Sequence, residues 1–463
     1  MVSRGGFMNL KQIKETIFRE YDIRGIWGED IDEDVAYTFG RSFASYIAKD
    51  GEHDVIIGHD NRTSSPMIHD ALLKGLVESG AHVIDLGLVT TPMYYFGKKK
   101  NHIKNGIMIT ASHNPKEYNG FKISFDYRGN SCGQAIIDFR DFTNALDFIS
   151  AEGTAVEINI RQDYLDEVKN SVDLGDRKVK VVFDCGNGTG SVIVKEMLDL
   201  FDCEYELLYC DSDPEFPNHH PDPCVPANLV DLGNKVKELG YDLGIGIDGD
   251  ADRVGLVDEN GNVIATDLLM LIVYRSMVNT MSKKKAIYDV KCSKTLIDGL
   301  EALGIESEMY RTGNSYMNIK INEEEVDFGG EYSGHVWFRD KWPGFDDGLY
   351  AGLRLVEIVS KTDKKVSELL ENTNKYYSTE ELKFHAPDEI KFGVVDKVKE
   401  YCANKGYQML TVDGVRVTFD DSWALVRCSN TGPNITARFE AKTEERLSEI
   451  QEEFTNLLNE YLK

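Results

Sequence analysis

Short apolar runs, each followed by a glycine-rich or polar loop and then an amphipathic stretch, recur along the first three-quarters of the chain. Asp54–Gly58, His82–Leu86, Gly106–Ile109, Lys178–Asp184, Glu204–Cys210, Tyr241–Ile247, Ala286–Val290 and Glu306–Arg311 read as buried strands. Stretches near 34–48, 67–79, 191–201, 267–278 and 295–303 read as helices, and Asp346-Asp347-Gly348 caps another that runs to about Lys361. This β-loop-α-β rhythm predicts parallel strands covered by helices. From about residue 376 the texture changes. Short strands over Tyr407–Val412, Gly414–Phe419, Trp423–Cys428 and Ile435–Glu440, with helices near 393–405 and 443–462, predict a small antiparallel α+β domain. A charged, weakly periodic stretch around 150–176 marks another boundary. Domains are therefore expected over 1–155, 156–258, 259–375 and 376–463.

Composition adds constraints rather than a function. With 463 residues, 41% hydrophobic and 28% charged, the chain is a globular protein too long for one core. Its 52 Lys+Arg stand against 79 Asp+Glu, a formal net charge of -27. Such a field repels nucleic acid and anionic membrane, so neither is expected as a partner. If the substrate is an anion, the few cations that meet it must be locally concentrated. Eight cysteines are scattered without CxxC pairs or zinc spacing, as in a protein with reduced thiols. Met1–Phe18 lacks the apolar segment of a signal peptide, and no run of about 18 apolar residues occurs, so a cytoplasmic location is expected.

The candidate chemistry sits in the loops. Thr110-Ala111-Ser112-His113-Asn114-Pro115 places a serine where a buried strand ends and a proline forbids its continuation. A serine hydroxyl is a poor nucleophile without a neighbouring base, cation or metal. Lys122 follows the Asn119-Gly120 turn, near enough to lie across a hairpin from Ser112. In Asp248-Gly249-Asp250-Ala251-Asp252-Arg253, three carboxylates at alternate positions converge on a hard cation such as Mg²⁺ or Ca²⁺ if the backbone curls. An EF-hand reading fails because Arg253 stands where that loop needs glycine. Gly330-Glu331-Tyr332-Ser333-Gly334-His335 offers donors and acceptors suited to sugar hydroxyls, with His335 available for proton transfer. Arg427-Cys428-Ser429-Asn430-Thr431-Gly432-Pro433, with Arg438 nearby, is shaped for a phosphate dianion. Cys185–Gly190 is not a dinucleotide fingerprint, and His219-His220 reads as a packed loop rather than a metal site. Arg24 and Arg62, taken singly, read as solvated charges.

In this order, these motifs resemble those of the α-D-phosphohexomutases over nearly the whole chain, and within them the bacterial phosphomannomutase/phosphoglucomutase branch. The matching stretches are TASHNP, DGDADR, GEYSGH and RCSNTGPNITARFE, with FREYDIRG, NGFK, DVKCS and FDDGLYAGLRLVEI beside them. The resemblance implies three similar α/β domains with mixed sheets around a central cleft, plus a C-terminal α+β domain. It implies a reversible exchange between the 1- and 6-phosphates of mannose or glucose, through a phosphorylated Ser112 and a hexose 1,6-bisphosphate. Mg²⁺ would be held by Asp248, Asp250, Asp252 and the Ser112 phosphate. Lys122, Arg253 and Arg24 match positions that neutralise the transferring group, and His335 matches a proton acceptor. Glu331 and Ser333 match readers of the sugar hydroxyls, while Tyr21 and Lys291 lie in matching stretches. Arg427, Ser429, Asn430, Thr431 and Arg438 would clamp the non-reacting phosphate. Asn314 stands where the branch generally has histidine, and asparagine can hydrogen-bond a sugar but not carry a proton. The alternatives are a phosphoglucosamine mutase, a Mg²⁺-dependent sugar phosphatase and a non-catalytic sugar-phosphate sensor.

Overall fold

The computed structural model describes residues 8–429 and 432–463. Two compact units emerge: Met1–Ile264 with Gly334–Ser367, and Ala265–Ser333 with Glu368–Lys463. The first contains two mixed sheets built on one plan. In one, Asp54–His59 lies parallel to both His82–Leu88 and Asn105–Ile109, and Thr154–Glu157 extends the far edge in parallel. Tyr118–Phe125 then pairs antiparallel with Asn105–Ile109, and Ile23–Ile26 antiparallel with Tyr118–Phe125. In the other, Lys180–Asp184 lies parallel to Glu204–Leu208 and Leu243–Ile247, before Val254–Val257 and Val263–Ile264 turn back antiparallel. The central parallel strands Asp54–His59, Asn105–Ile109, Lys180–Asp184 and Leu243–Ile247 bury both faces, which is why they read as continuous apolar runs.

Helices Glu33–Ala48 and Gln134–Asn144 cover the first sheet through Phe39, Phe43 and Phe139. Phe39 stacks on Phe121 of the hairpin strand at 4.1 Å between ring centroids. The first helix starts on Asp32, whose side chain accepts from the Val35 N–H. Beneath Ser65–Glu78, His69 Nε2 lies 2.9 Å from both oxygens of Asp85. Burial opposes a charge on this imidazole, but the hydrogen bond and charge of Asp85 outweigh it and raise its pKa above the usual 6.5. The pair therefore stabilises the fold fully below the unfolded value and loses that contribution as pH rises through the raised one. We expect the urea midpoint of the protein to fall between about pH 6 and about pH 9, and to fall less in His69→Asn.

In the second unit Lys285–Asp289 lies parallel to Glu306–Tyr310 and Phe328–Gly330. The C-terminal sheet is antiparallel throughout, running from Met409–Leu410 through Val415–Thr418 and Ser422–Cys428 to Asn434–Ala441. Helices Asp388–Asn404 and Glu444–Tyr461 cover it. One helix, Asn314–Glu324, occupies a stretch with no apolar helical period. Its buried residues are Ser315, Met317, Asn318 and Ile321, half of them polar. Among the described residues no helix is long and apolar enough to cross a membrane.

Candidate functional site

The serine loop begins where Asn105–Ile109 ends. Ser112 is held in the left-handed region, φ 51°, where a non-glycine residue persists only when its surroundings impose it. Those surroundings are visible. The Ser112 N–H donates to Thr110 Oγ1 at 2.9 Å, and Arg62 Nη2 donates to the Ser112 carbonyl at 2.8 Å and that of Asn114 at 2.7 Å. Arg62 Nη1 reaches the Pro115 and Tyr118 carbonyls at 2.8 and 3.0 Å, and Asp60 balances its charge at 3.2 Å. Arg62 is 1% exposed, so the solvated reading of this residue is corrected. Its planar fork serves four carbonyls that converge only in the fold. An ammonium has fewer donors and no fixed fork. Arg62→Lys should lower kcat about 100-fold by misplacing the serine, while circular dichroism shows the fold retained. Arg24 also sits at this loop, donating to Asn114 Oδ1 at 2.6 Å with Asp22 3.0 Å away, and half-buried Tyr21 precedes it.

The aspartate loop follows the strand Leu243–Ile247. Ala251 adopts φ 69°, supplying the curl that brings the three carboxylates together, with ligand atoms within 4.8 Å of one another. Gly249 lets this loop meet the serine loop, since a Cβ there would fall 2.5 Å from the Ser112 carbonyl oxygen. Ser112 Oγ donates to Asp248 Oδ2 at 2.9 Å. Lys122 Nζ donates to Asp250 Oδ2 at 2.7 Å and Asp252 Oδ2 at 2.5 Å, and Thr91 Oγ1 to Asp250 Oδ2 at 2.7 Å. All three aspartates are fully buried. Burial, then repulsion from Asp250 and Asp252, raises the Asp248 pKa well above the carboxylate range, whereas Lys122 overcomes burial to lower that of Asp250. Oδ1 of Asp250 and of Asp252 are buried without a hydrogen-bond partner among the described residues. Orphaned oxygens in an oxygen-only cluster are the donor set of a hard divalent cation, so the residues fit a metal. The buried cluster is consistent with a divalent-metal site.

Beside it, His335 is 4% exposed. Its Nδ1 lies 2.7 Å from Asp346 Oδ2, and its Nε2 accepts from Arg253 Nε at 2.9 Å. These two bonds together place the ring proton on Nδ1 and a lone pair on Nε2. Arg253 stands 3.9 Å from Asp248 and 4.0 Å from Asp222. Despite burial, Asp222 and then Asp248 hold its pKa above the usual guanidinium value. His113 Nδ1 is 3.2 Å from Ser112 Oγ, and burial followed by the charges of Arg253 and Arg24 pushes its pKa well down. The first unit thus gathers Ser112, Lys122, Arg24, Arg253, His335 and the three aspartates from motifs up to 311 residues apart.

Four partners escaped the motif reading: Arg62, Thr91, His113 and Asp346. Asp346 neighbours Asp347, which caps the helix Gly348–Ser360 by accepting from the Tyr350 N–H, and the capping signal accounts for both residues in the sequence. His219 donates to Asp184 at 3.0 Å in a packed loop, as expected.

The second unit gathers the sugar and phosphate motifs. Glu331 Oε1 accepts from the Gly313 N–H at 2.5 Å and its Oε2 from Ser333 Oγ at 3.0 Å, while Tyr332 N–H donates to buried Asp289 at 2.9 Å. Asn314 opens the helix that follows Gly313. Asp413 Oδ2 accepts from both the Thr312 N–H (3.0 Å) and Arg427 Nε (2.9 Å), joining the start of this helix to the phosphate loop. Lys291 Nζ lies 3.9 Å from Asp289 and 3.8 Å from Glu381. Arg438 is placed inward, its guanidinium 3.8 Å over the Tyr332 ring and Nη1 bonded to the Lys291 carbonyl. Ser429 N–H donates to the Asn434 carbonyl at 2.8 Å, and Lys391 Nζ to the Ser429 and Gly432 carbonyls at 2.8 and 3.3 Å. Asn430 and Thr431 lie outside the described residues.

Comparisons with known proteins agree with this layout. Four sequence models match in order: phosphoglucomutase/phosphomannomutase alpha/beta/alpha domain I at residues 15–136, domain II at 162–261, domain III at 265–376 and the C-terminal domain at 381–457. A phosphomannomutase/phosphoglucomutase of Pseudomonas putida is 39% identical over 448 residues, covering 96% of both chains. A phosphoglucomutase of Neisseria gonorrhoeae is 37% identical, covering 96% of this chain and 97% of its own. The crystal structure of a phosphoglucomutase/phosphomannomutase family protein from Burkholderia thailandensis superimposes with a TM-score of 0.89 at 34% identity, covering 97% and 98% of the two chains. Three α/β domains and a C-terminal α+β domain are thus shared with a family of enzymes of reversible intramolecular phosphoryl transfer. The chain belongs to the phosphoglucomutase/phosphomannomutase family of α-D-phosphohexomutases, in its bacterial phosphomannomutase/phosphoglucomutase branch, and is an isomerase.

Proposed function

We propose that the chain interconverts the 1- and 6-phosphates of glucose and of mannose, with Ser112 as the phosphoryl carrier and a hexose 1,6-bisphosphate as the intermediate. The observation that carries this reading is the Ser112 hydroxyl bonded to Asp248 at 2.9 Å, within the only strand-end loop whose serine faces an aspartate trio among the described residues. The relatives' names, which pair phosphomannomutase with phosphoglucomutase, support a dual sugar range.

In the forward half, a sugar hydroxyl oxygen forms a bond to phosphorus as the Ser112 Oγ–P bond breaks. The hydroxyl proton passes to His335 Nε2, which Asp346 keeps available by holding the proton of Nδ1. Arg253 Nε, which donates to that lone pair in the structure, turns to the transferring oxygens. Lys122 and Arg24 supply further positive charge there, the equipment expected for a reaction catalysed mainly by electrostatic preorganisation. Asp248, Asp250 and Asp252 would hold Mg²⁺, which, when bound, offsets charge on the phosphoryl oxygens. Glu331, Ser333 and Asn314 would read sugar hydroxyls, while Lys291, Arg427, Ser429, Asn430 and Thr431 grip the phosphate that is not reacting. Arg438 would act beneath them, fixing Tyr332 and the Lys291 backbone. The reverse half returns the other phosphate to Ser112.

The test is ³¹P NMR of glucose 1-phosphate and mannose 1-phosphate with Mg²⁺ and a trace of the bisphosphate. The expected result is conversion to the 6-phosphates without inorganic phosphate. Inorganic phosphate as the main product would overturn the reading in favour of a phosphatase. Faster turnover of glucosamine phosphate would move it to the phosphoglucosamine branch.

A further inference from the structure

Behind the aspartate loop lies a pair of thiols that the phosphoryl-transfer chemistry does not use. Cys185 ends the strand Lys180–Asp184 and is fully buried, while Cys210 follows the neighbouring parallel strand Glu204–Leu208 and is half-buried. Their sulfurs are 3.0 Å apart. That is about 1 Å more than the ~2.05 Å of a covalent S–S bond. The backbones that carry them are already joined: the Cys185 N–H donates to the Leu208 carbonyl, the Asn187 N–H to that of Tyr209, and Asn187 Nδ2 to that of Asp211.

The turn that Cys185 opens is also coupled to the site. The Thr189 N–H donates to the Gly249 carbonyl at 2.8 Å. Asn61, the residue before Arg62, donates to the Asn187 carbonyl at 2.9 Å and to Thr189 Oγ1 at 3.2 Å. A change in the position of Cys185–Thr189 therefore reaches both the aspartate loop and the arginine that shapes the serine loop.

We propose that Cys185 and Cys210 form a reversible disulfide, a redox-sensitive modification site that governs the setting of the aspartate loop. With hydrogen peroxide as oxidant, the Cys210 thiolate attacks one peroxide oxygen: an S–O bond forms, the O–O bond breaks, and hydroxide leaves. The Cys185 sulfur then attacks Cys210, forming the S–S bond and breaking the S–O bond. The departing hydroxide takes the Cys185 proton and leaves as water. Two thiols lose two electrons and two protons, and one peroxide becomes two waters. The order follows exposure, since peroxide reaches half-buried Cys210 first.

The experiment treats the full chain with hydrogen peroxide, quenches and unfolds it in the presence of iodoacetamide, and maps peptides without reductant. The expected result is a peptide linking Cys185 to Cys210 and, in oxidised protein weighed before alkylation, an intact mass lower by about 2 Da. Turnover should fall about tenfold, and dithiothreitol should restore both. Cys210→Ser should turn over as the wild type does and keep its activity in peroxide. Alkylation of both cysteines after oxidation, or sulfinic acid on Cys210, would overturn the site. A linked peptide in an enzyme of unchanged turnover would overturn its coupling to the aspartate loop. The linkage arm is independent of the proposed substrate, so its failure is distinct from failure of the mutase reading.

Discussion

Ser112→Ala should lose about 10⁴-fold or more in kcat, the scale seen when a covalent nucleophile is removed, while still binding metal. Ser112 is 1% exposed and its hydroxyl donates to Asp248, so the substitution would delete the proposed phosphoryl carrier and little else. The loop's other supports remain, because Arg62 holds backbone carbonyls and not the side chain. Three readouts separate this outcome from a folding defect. Intact mass should show no phosphoprotein, Mg²⁺ should still raise the melting temperature, and the bisphosphate should fail to restore turnover. Wild-type activity in this variant would sink the phosphoserine mechanism.

Lys122→Met should move metal affinity and turnover in opposite directions. The ammonium is bonded to Asp250 and Asp252, whose Oδ1 atoms already lack hydrogen-bond partners among the described residues. Removing it strands two buried carboxylates beside a third, and breaking a buried ion pair costs about 3–5 kcal/mol. The metal-free variant should therefore unfold at a clearly lower temperature. Mg²⁺ should recover much of that loss, since ligand at about 100 times its Kd contributes about 2.7 kcal/mol. Its affinity should rise, because the wild-type metal must take oxygens that Lys122 also holds. Turnover should fall, because the transferring phosphoryl group loses a cation. Isothermal titration with Mg²⁺ checks the first half, and weaker binding in the variant would refute it.

The chemistry of the site was largely legible in the sequence because its reacting groups are carried in compact loops. A serine before proline, three aspartates at alternate positions and a histidine between glycines each advertise their chemistry locally. The curl required of the aspartate loop is met by Ala251 at φ 69°, a conformation that an alanine does not announce. Arg62, Thr91 and Asp346 were not legible as site residues. Arg62 acts on Ser112 50 positions away, Thr91 on Asp250 159 positions away and Asp346 on His335 11 positions away, through contacts that exist only in the fold. Arg438 shows the converse. Its charge and spacing point to a phosphate, and the fold stacks it on Tyr332 with Nη1 on a carbonyl. Likewise, the helix Asn314–Glu324 buries serine and asparagine on its inner face, so hydrophobic periodicity could not reveal it.

The inward placement of the arginines and lysines has a kinetic consequence. Arg62, Lys122, Arg416, Arg427 and Arg438 are all buried, so they lie behind the surface of a chain whose net charge is -27. A dianionic sugar phosphate approaching from solvent meets net repulsion before it meets those buried cations. Added salt shortens the reach of that repulsion, from about 30 Å at 0.01 M to about 10 Å at 0.1 M. Association should accordingly quicken as ionic strength rises, the reverse of enzymes that draw charged substrates in with an opposite field.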